Sequence, residues 1–230
     1  MPPNEVHIWR VPLDRSEGEL GELLSLLDAD ERTRASSFHF ERDRLHFTAA
    51  RGLLRIALGR YLGLHPSLVA FRYSSHGKPS LDGDAGERVR FNISHSHGLA
   101  LFAFTLERAV GIDLEMIRPG PADETIAENY FTPAEVDSLR SLPRDERDRG
   151  FFNCWTRKEA YLKARGDGLS LPLDHFEVTL APHEPVRVRH IVEATRDERN
   201  WKLVSLSAGD GFVAALVVEG DDWEARWWSL

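Results

Sequence analysis

One strongly patterned helical segment, FFNCWTRKEAYLK, carries a carboxylate inside its apolar stripe. Phe152 and Trp155 are three residues apart and Leu162 follows seven residues later, which places all three on one helical face. Glu159 falls on the same face, and Lys163 follows it one turn later. Because burying an unpaired carboxylate is costly, Glu159 needs a partner. That partner is Lys163 in an ordinary surface ion pair, a metal ion, or both.

A second pair of acids lies on a predicted strand over 109–117. Asp113 and Glu115 are two residues apart, so both side chains project from the same face of the strand. Two neighbouring carboxylates repel each other unless a cation lies between them. The pair is therefore either part of an exposed strand face or half of a cation site. A hard cation such as Mg²⁺ suits the second alternative, because it binds carboxylates, waters and substrate phosphates together.

A turn and a strand end supply candidate groups for an anionic ligand. The turn 74–79 holds Lys78 between a glycine and a proline, and it is either a plain exposed turn or a ligand contact. His95 and His97 have the spacing of a metal pair, but zinc normally takes three or four nitrogen or sulfur ligands. No other histidine or cysteine cluster in the sequence completes such a set. Ser94 and His95, at the end of a predicted strand, suit contact with an anion instead.

The composition is that of an ordinary globular chain. Hydrophobic residues make up 42% and charged residues 29% of 230 residues, enough for one large domain or two modest ones. The net charge of −8 argues against nucleic-acid binding, so an anionic ligand needs a local basic cluster. The single cysteine excludes an intrachain disulfide. The start lacks the features of a signal peptide, and no apolar run is long enough to span a bilayer. We expect a cytoplasmic protein with no membrane or nucleic-acid partner.

Hydrophobic periodicity predicts helices and strands in both halves of the chain. Helices are predicted over 17–27, directly after Asp28, over 41–62, twice within 121–142 and over 147–165. Strands are predicted over 5–11, 69–73, 89–94, 99–106, 109–117, 175–180, 186–192, 201–207, 212–218 and 223–228. Thr132 and Glu135 form a predicted capping box, and Gly166 and Gly168 end the long helix. Each half thus combines helices with antiparallel strands in an α+β arrangement, although no internal repeat is evident by eye.

Four motifs occur in the order found in Sfp-type 4′-phosphopantetheinyl transferases. They are GKP at 77–79, FNISHS at 91–96, VGIDLE at 110–115 and WTRKEAYLK at 155–163. The run GLSLPL at 168–173 also resembles the segment that follows the last of these motifs in the family. The resemblance extends from about Arg32 to Leu173. The ordered set is far more specific than any single motif, so the sequence is identified as resembling this family.

The resemblance implies both a fold and a reaction. The family fold is a pseudo-dimer of two similar α+β halves with antiparallel sheets and a ligand cleft between the halves. We place the N-terminal half, with the coenzyme A nucleotide contacts, at 1–108, and the C-terminal half, with the magnesium and catalytic residues, at 109–230. The reaction moves 4′-phosphopantetheine from coenzyme A to a serine of an apo acyl or peptidyl carrier protein and releases adenosine 3′,5′-bisphosphate. The expected cofactor is Mg²⁺, with coenzyme A as co-substrate.

The resemblance also assigns catalytic and metal-binding residues. Asp113, Glu115 and Glu159 match the residues that hold Mg²⁺ in the family. Glu159 is in addition the expected base for the carrier serine, directly or through water, and hydrogen-bond reach decides that role. Lys163 is expected to neutralise the pyrophosphate and the charge that develops on the leaving group. Lys158, on a neighbouring helical face, either adds positive potential or simply faces solvent.

Further residues match the family's contacts to coenzyme A. They are Arg51, Gly77, Lys78, Pro79, Ser94, His95, Asp113 and Lys163. Within this set, Arg51 is assigned to the 3′-phosphate, with Arg32 or Arg34 assisting. Trp155 and Phe131 are expected to be packing residues.

Three functional alternatives remain at this point. The first is the transferase, acting as a monomer and serving polyketide, nonribosomal peptide or siderophore synthases. The second is a non-catalytic module that binds coenzyme A or a carrier protein. The third is a magnesium-dependent phosphohydrolase that uses the same carboxylates. We favour the transferase because all three expected metal ligands and the lysine are present.

Overall fold

The computed structural model describes residues 1–75, 77–118, 122–166, 171–190, 192 and 199–230. Its α-helices are α1 Glu17–Leu26, α2 Ala29–Ser36, α3 Glu41–Leu62, α4 Ala85–Arg88, α5 Ala122–Tyr130, α6 Pro133–Ser141 and α7 Arg144–Arg165. Its strands are β1 Glu5–Pro12, β2 Phe71–Tyr73, β3 Pro79–Leu81, β4 Val89–Ser96, β5 Leu99–Leu106, β6 Val110–Met116, β7 Phe176–Val178, β8 Val188–His190, β9 Trp201–Leu206, β10 Phe212–Glu219 and β11 Glu224–Ser229. No helix within these described ranges is long and apolar enough to cross a membrane.

The two halves of the chain repeat one order of elements. Each half contains a long first strand, three helices, a short two-stranded hairpin and two further long strands, and the first half adds the four-residue helix α4 before β4. In the first half these are β1, α1–α3, β2–β3, β4 and β5, and in the second they are β6, α5–α7, β7–β8, β9 and β10. The main sheets have matching strand orders, β1-β5-β4 and β6-β10-β9, with every neighbour in these orders antiparallel. The predicted pseudo-dimer of two α+β halves is confirmed, although the repeat is hidden in the sequence.

A buried acid–base pair recurs at equivalent places in the two halves. Glu31 completes a capping box at the start of α2 and bonds Arg55 of α3, with Arg55 Nε 2.6 Å from Glu31 Oε2. Glu135 does the same in α6 and bonds Lys158 of α7, with Lys158 Nζ 2.7 Å from Glu135 Oε2. Arg55 and Lys158 occupy the same position in their 22-residue helices. Each pair therefore ties a short helix to the long helix that follows it.

Lys158 serves neither of the purposes considered from the sequence. It is 0% exposed, so it does not face solvent. Besides the bond to Glu135, its ammonium donates to the backbone carbonyls of Leu173 and Phe176 at 2.7 and 2.6 Å. Because these partners use up its hydrogen-bonding capacity, Lys158 fixes the segment after α7 rather than adding potential to a ligand site.

The two sheets meet at β4 and β6, where side chains replace the usual backbone ladder. Three alternate residues of β4 accept three alternate backbone N–H groups of β6. The bonds are Ile112 N to Asn92 Oδ1 at 2.8 Å, Leu114 N to Ser94 Oγ at 3.2 Å and Met116 N to Ser96 Oγ at 3.2 Å. The junction thus brings together the FNISHS motif of one half and the VGIDLE motif of the other.

Three apolar clusters support this arrangement. In the first half α3 packs on β1 and β5, and in the second half α7 packs on β10. The third cluster lies between the two sheets and includes Ile8, Leu101, Ile112, Leu114 and Leu216. Burial of these side chains holds the halves together, since removing apolar surface from water is the main stabilising term in folding.

The last strand returns to the first half. β11 pairs with β1 in parallel, from Glu5 opposite Glu224 to Arg10 opposite Ser229. Trp228 of β11 stacks on Trp9 of β1 with ring centroids 5.6 Å apart. The boundary between the two halves at residues 108 and 109 remains a prediction. β11 belongs to the C-terminal half by sequence but joins the sheet of the N-terminal half. β11 and β1 also form the one parallel ladder between two of the strands named above.

Most predicted elements appear with small changes of length. The capping box of Thr132 and Glu135 is present at the start of α6. α7 begins at Arg144, three residues before the predicted start, with Asp145 and Glu146 in the first turn, where negative charge favours a helix. It ends at Arg165 with Gly166 as its C-cap, whereas Gly168 and the start of the GLSLPL run lie outside the described residues. The strand predicted over 186–192 is shorter, at Val188–His190, and residue 191 is likewise outside the described part.

Candidate active site

Asp113 of β6, Ser94 of β4 and Lys163 of α7 meet at the junction of the two sheets. Lys163 Nζ lies 2.7 Å from Asp113 Oδ1, and Ser94 Oγ donates to the same oxygen at 2.8 Å. Lys163 also donates to the carbonyl of Ile112 at 3.3 Å. Asp113 is 4% exposed, and its second oxygen, Oδ2, has no hydrogen-bond partner among the described residues. A buried anionic oxygen without a partner marks a place for a cation.

Gly111 permits the close approach of α7 to β6. A Cβ atom at this position would lie 2.1 Å from the carbonyl oxygen of Ala160 and 2.3 Å from the backbone nitrogen of Ala164. Any side chain at 111 would therefore push α7 away from the strand. Because Glu159 and Lys163 immediately precede those two alanines, Gly111 sets their distance from Asp113.

Glu159 and Glu115 share the electrostatic environment of Asp113. Burial raises the pKa of Glu159, and the charges of Asp113 and Glu115 raise it further, while Lys163 opposes them. Burial also raises the pKa of Glu115, against a hydrogen bond from Ser96 that lowers it. Such raised values arise where several carboxylates share a partly dry site. The charges of the two acids of β6 thus reach Glu159, and the assignment of the three carboxylates to a metal stays a prediction.

These oxygens fit a hard cation that brings further ligands of its own. In the described part of the chain, no three histidine, cysteine or acidic side chains form a ready-made metal cluster. Lys163 binds one oxygen of Asp113 and leaves Oδ2 available. Mg²⁺ commonly takes only one or two protein carboxylates and fills its remaining positions with water and substrate phosphates. The donor set therefore suits Mg²⁺ together with a phosphate ligand.

Lys78 adds positive charge beside this group, and His95 adds an imidazole. The GKP turn directs the Lys78 ammonium onto the carbonyl oxygen of Lys163, and Gly77 supplies the left-handed conformation of the turn, with φ of 75°. Burial first and the nearby charge of Lys163 second lower the pKa of Lys78 to about 8. The pKa of His95 is lowered by desolvation first and by Lys163 second. A bound anion would reduce the repulsion between these neighbouring positive charges.

Arg51 lies in a separate cluster with Glu31 and Tyr73. It is 5% exposed, with its Nε 3.3 Å from Glu31 Oε1 and its Nη2 donating to the Tyr73 hydroxyl at 3.1 Å. Its Nη1 has no hydrogen-bond partner among the described residues. Arg34 lies over the ring of Phe47, which Arg51 also faces. The assignment of Arg51 to the 3′-phosphate stays a prediction that depends on this one unpaired nitrogen.

The other residues named from the sequence divide into packing and surface groups. Trp155 stacks on Phe151 with centroids 6.2 Å apart, and Phe131 is 3% exposed, so both pack as expected. Arg32 donates to the carbonyls of Leu27 and Ser25 at the end of α1. The sequence predicted no role for Gly111 or Ser96, and it predicted the capping box of Glu135 but not its bond to Lys158. The alternating polar residues of FNISHS were the one signal that pointed to Ser96.

Comparison with known families agrees with this geometry. Residues 14–106 match the family model "4'-phosphopantetheinyl transferase, N-terminal", and residues 109–217 match the model of the "4'-phosphopantetheinyl transferase superfamily". Together these matches span most of both halves. The chain belongs to the 4′-phosphopantetheinyl transferase superfamily and is of the Sfp type.

One relative matches nearly the whole chain, and others match shorter parts of it. It is 44% identical to the 4'-phosphopantetheinyl transferase HetI of Nostoc sp. over 99% of this chain and 95% of that protein. It is 32% identical to the transferase Sfp of Bacillus subtilis over 74% of this chain and 72% of that protein. A solved holo-(acyl-carrier-protein) synthase from Bacillus anthracis, in complex with CoA (3',5'-ADP), is 22% identical, covers 48% of this chain and 94% of its own length, and superposes with a TM-score of 0.41.

Proposed function

We propose that this protein transfers 4′-phosphopantetheine from coenzyme A to a serine of an apo acyl or peptidyl carrier protein in a Mg²⁺-dependent reaction. Adenosine 3′,5′-bisphosphate is the second product. The observation that carries the proposal is the meeting of Asp113 with Lys163 and Ser94 where the two halves join. Glu115 and Glu159 lie near enough for the charge of Asp113 to raise their pKa values. The likeness to transferases along almost the full chain supports it.

Asp113, Glu115 and Glu159 would hold the cation. When bound, Mg²⁺ neutralises the pyrophosphate and makes its phosphorus a better electrophile. The unpaired Oδ2 of Asp113 is the oxygen most in need of such a partner. The raised pKa values of Glu115 and Glu159 show that their charged forms are disfavoured without a cation. A cation between the carboxylates would remove their repulsion.

Glu159 acts as the base for the carrier serine. The serine oxygen forms a bond to the β-phosphorus of coenzyme A, its proton passes to Glu159 directly or through water, and the bond to the nucleotide phosphate breaks. Hydrogen-bond reach to the serine hydroxyl, directly or through one water, decides this role. Lys163 then faces the phosphate that leaves and stabilises its charge.

The remaining cationic and polar groups orient coenzyme A. Ser94 and His95 at the end of β4 contact its phosphates, and Gly77 to Pro79 lie against the nucleotide. Arg51 meets the 3′-phosphate through its unpaired Nη1. Arg51→Met is therefore expected to lower the ratio of kcat/KM for coenzyme A to kcat/KM for 3′-dephospho-coenzyme A. An unchanged ratio would show that Arg51 does not contact the 3′-phosphate.

We further propose that the enzyme works as a cytoplasmic monomer for polyketide, nonribosomal peptide or siderophore synthases. The acidic net charge of −8 and the single cysteine favour a cytoplasmic protein without nucleic-acid or membrane partners. Relative rates on a panel of carriers from these synthases and from fatty-acid synthesis identify the pathway. A strong preference for the fatty-acid carrier overturns the assignment to secondary metabolism.

The decisive experiment measures the intact mass of the carrier. The purified chain is incubated with coenzyme A, Mg²⁺ and each apo carrier, and the carrier gains the mass of one phosphopantetheine. EDTA and the variants Asp113→Ala and Glu159→Ala abolish the gain while the circular dichroism spectrum stays that of the parent. Coenzyme A binding without transfer to any carrier would contradict the proposal in favour of a binding module. Release of free phosphopantetheine without a carrier would favour a phosphohydrolase.

A further inference from the structure

Ser96 makes a contact with Glu115 to which the site described so far gives no purpose. Its hydroxyl donates to Glu115 Oε2 at 2.9 Å and accepts the backbone N–H of Met116 at 3.2 Å. The serine is buried at the end of β4, in the half of the protein opposite to Glu115. One half of the pseudo-dimer thus holds a carboxylate of the other.

The neighbours of Ser96 determine where its proton points. A serine hydroxyl has one proton to donate and two lone pairs with which to accept. The N–H of Met116 uses one lone pair, and His97 Nδ1, 3.0 Å away, fills the other when that ring nitrogen carries a proton. The hydroxyl proton then remains for Glu115. The contact is therefore directional and fixes which oxygen of the carboxylate is engaged.

The same geometry occurs at the preceding side-chain-to-backbone bond of the β4–β6 junction, and each of these three bonds is called a rung below. Ser94 accepts the N–H of Leu114 and donates to Asp113 Oδ1 at 2.8 Å. In both rungs the carboxylate belongs to the residue just before the amide donor, because the two strands share the two-residue period of side chains. Asn92 forms the first rung through Ile112, and no carboxylate precedes that amide. Asn92 therefore shares the joining role but contacts no acid of the site.

We propose that Ser96 is a positioning residue for the cation site. Its hydroxyl engages Oε2 of Glu115, fixes the side-chain orientation and leaves Oε1 for the cation. The inference depends on the proposed function, because that function assigns Glu115 to Mg²⁺. Groups that hold a metal ligand in place typically affect metal affinity by about 10- to 100-fold.

The test compares Ser96→Ala with Ser96→Thr and Asn92→Ala in the full chain with coenzyme A present. The probe is Mn²⁺, whose binding is followed by the loss of the free-ion electron paramagnetic resonance signal. We expect about tenfold weaker Mn²⁺ binding in Ser96→Ala and near-parent binding in Ser96→Thr, which keeps the hydroxyl. Asn92→Ala lowers the denaturation midpoint but leaves Mn²⁺ affinity unchanged. The Mg²⁺ concentration for half-maximal transfer moves in parallel with the Mn²⁺ result.

Three outcomes overturn the proposal. They are Mn²⁺ binding by Ser96→Ala within about twofold of the parent, an equal loss in Asn92→Ala, and no Mn²⁺ binding by the parent. If Ser96→Ala does not fold, Ser96→Thr and Ser96→Val replace it as the test, because threonine and valine have nearly the same shape and only threonine keeps the hydroxyl. Equal Mn²⁺ affinity of these two variants overturns the proposal. Failure of the proposed function looks different: the parent transfers nothing to any carrier, while the Mn²⁺ titrations still decide the role of Ser96.

Discussion

Replacing Gly111 by alanine tests whether close packing of α7 on β6 sets the geometry of the site. The new Cβ would lie 2.1 Å from the carbonyl oxygen of Ala160 and 2.3 Å from the nitrogen of Ala164. Both are backbone atoms of a helix, so neither can rotate away. The strain must be relieved by moving α7 or β6 as a whole.

The size of the movement follows from the contact distances. Ordinary contact begins at 3.4 Å, so the helix must withdraw by about 1.3 Å along that direction. A shift of this size stretches the 2.7 Å contact between Lys163 and Asp113 beyond hydrogen-bond length. A misplacement of about 1 Å can reduce a rate about 100-fold, and overpacking typically costs about 1–3 kcal/mol of stability. We expect losses of both kinds, with activity affected far more.

The assay measures the initial rate of phosphopantetheine transfer and the urea midpoint on the same preparations. Gly21→Ala in α1 is the matched control, because a Cβ there meets nothing within 4 Å. It should keep the parent rate and gain about 0.5–1 kcal/mol, since alanine favours a helix interior over glycine. A Gly111→Ala protein with more than half of the parent rate would refute the reasoning.

Two further substitutions test the buried charges. Lys158→Met leaves Glu135 buried without its cation and should reduce the free energy of unfolding by about 3–5 kcal/mol; a loss below about 1 kcal/mol in urea titrations would contradict the importance of the pair. Glu159→Gln should abolish transfer yet stabilise the metal-free protein at pH 7. The pKa of Glu159 in the folded protein is raised above its unfolded-state pKa of 4.5. Ionisation of Glu159 therefore reduces the free energy of unfolding as the pH rises from 4.5 through the folded-state pKa. Thermal melting from pH 4 to 8 should show a stability difference that closes below about pH 4.5, and a variant less stable than the parent at pH 7 would contradict the sign.

Local patterns in the sequence were sufficient for much of the fold. The boundaries of α3 agree with the periodic pattern over 41–62, and the capping box of Thr132 and Glu135 marks the start of α6, because caps and apolar periodicity act over a few residues. The pseudo-dimer followed from the family resemblance. The matching strand orders that demonstrate it depend on pairings between distant residues, which periodicity does not encode.

The candidate site shows the same division between local and distant contacts. Asp113, Glu115, Glu159 and Lys163 were named from residue type and spacing together with the motif match. The burial of Lys158 could not be predicted in this way, because its ion-pair partner Glu135 lies on another helix.

The sequence by itself determined which chemical groups the chain offers: three carboxylates, a lysine one turn from the third, and a serine–histidine strand end. Only the tertiary structure decided their relations. Packing of α7 against Gly111 sets the distance between Lys163 and Asp113. The β4–β6 junction turns Ser96 toward Glu115, and β11 returns to β1 across the whole length of the chain. Such contacts join residues far apart in sequence, and the free energy of burying them together, rather than any local preference, selects them.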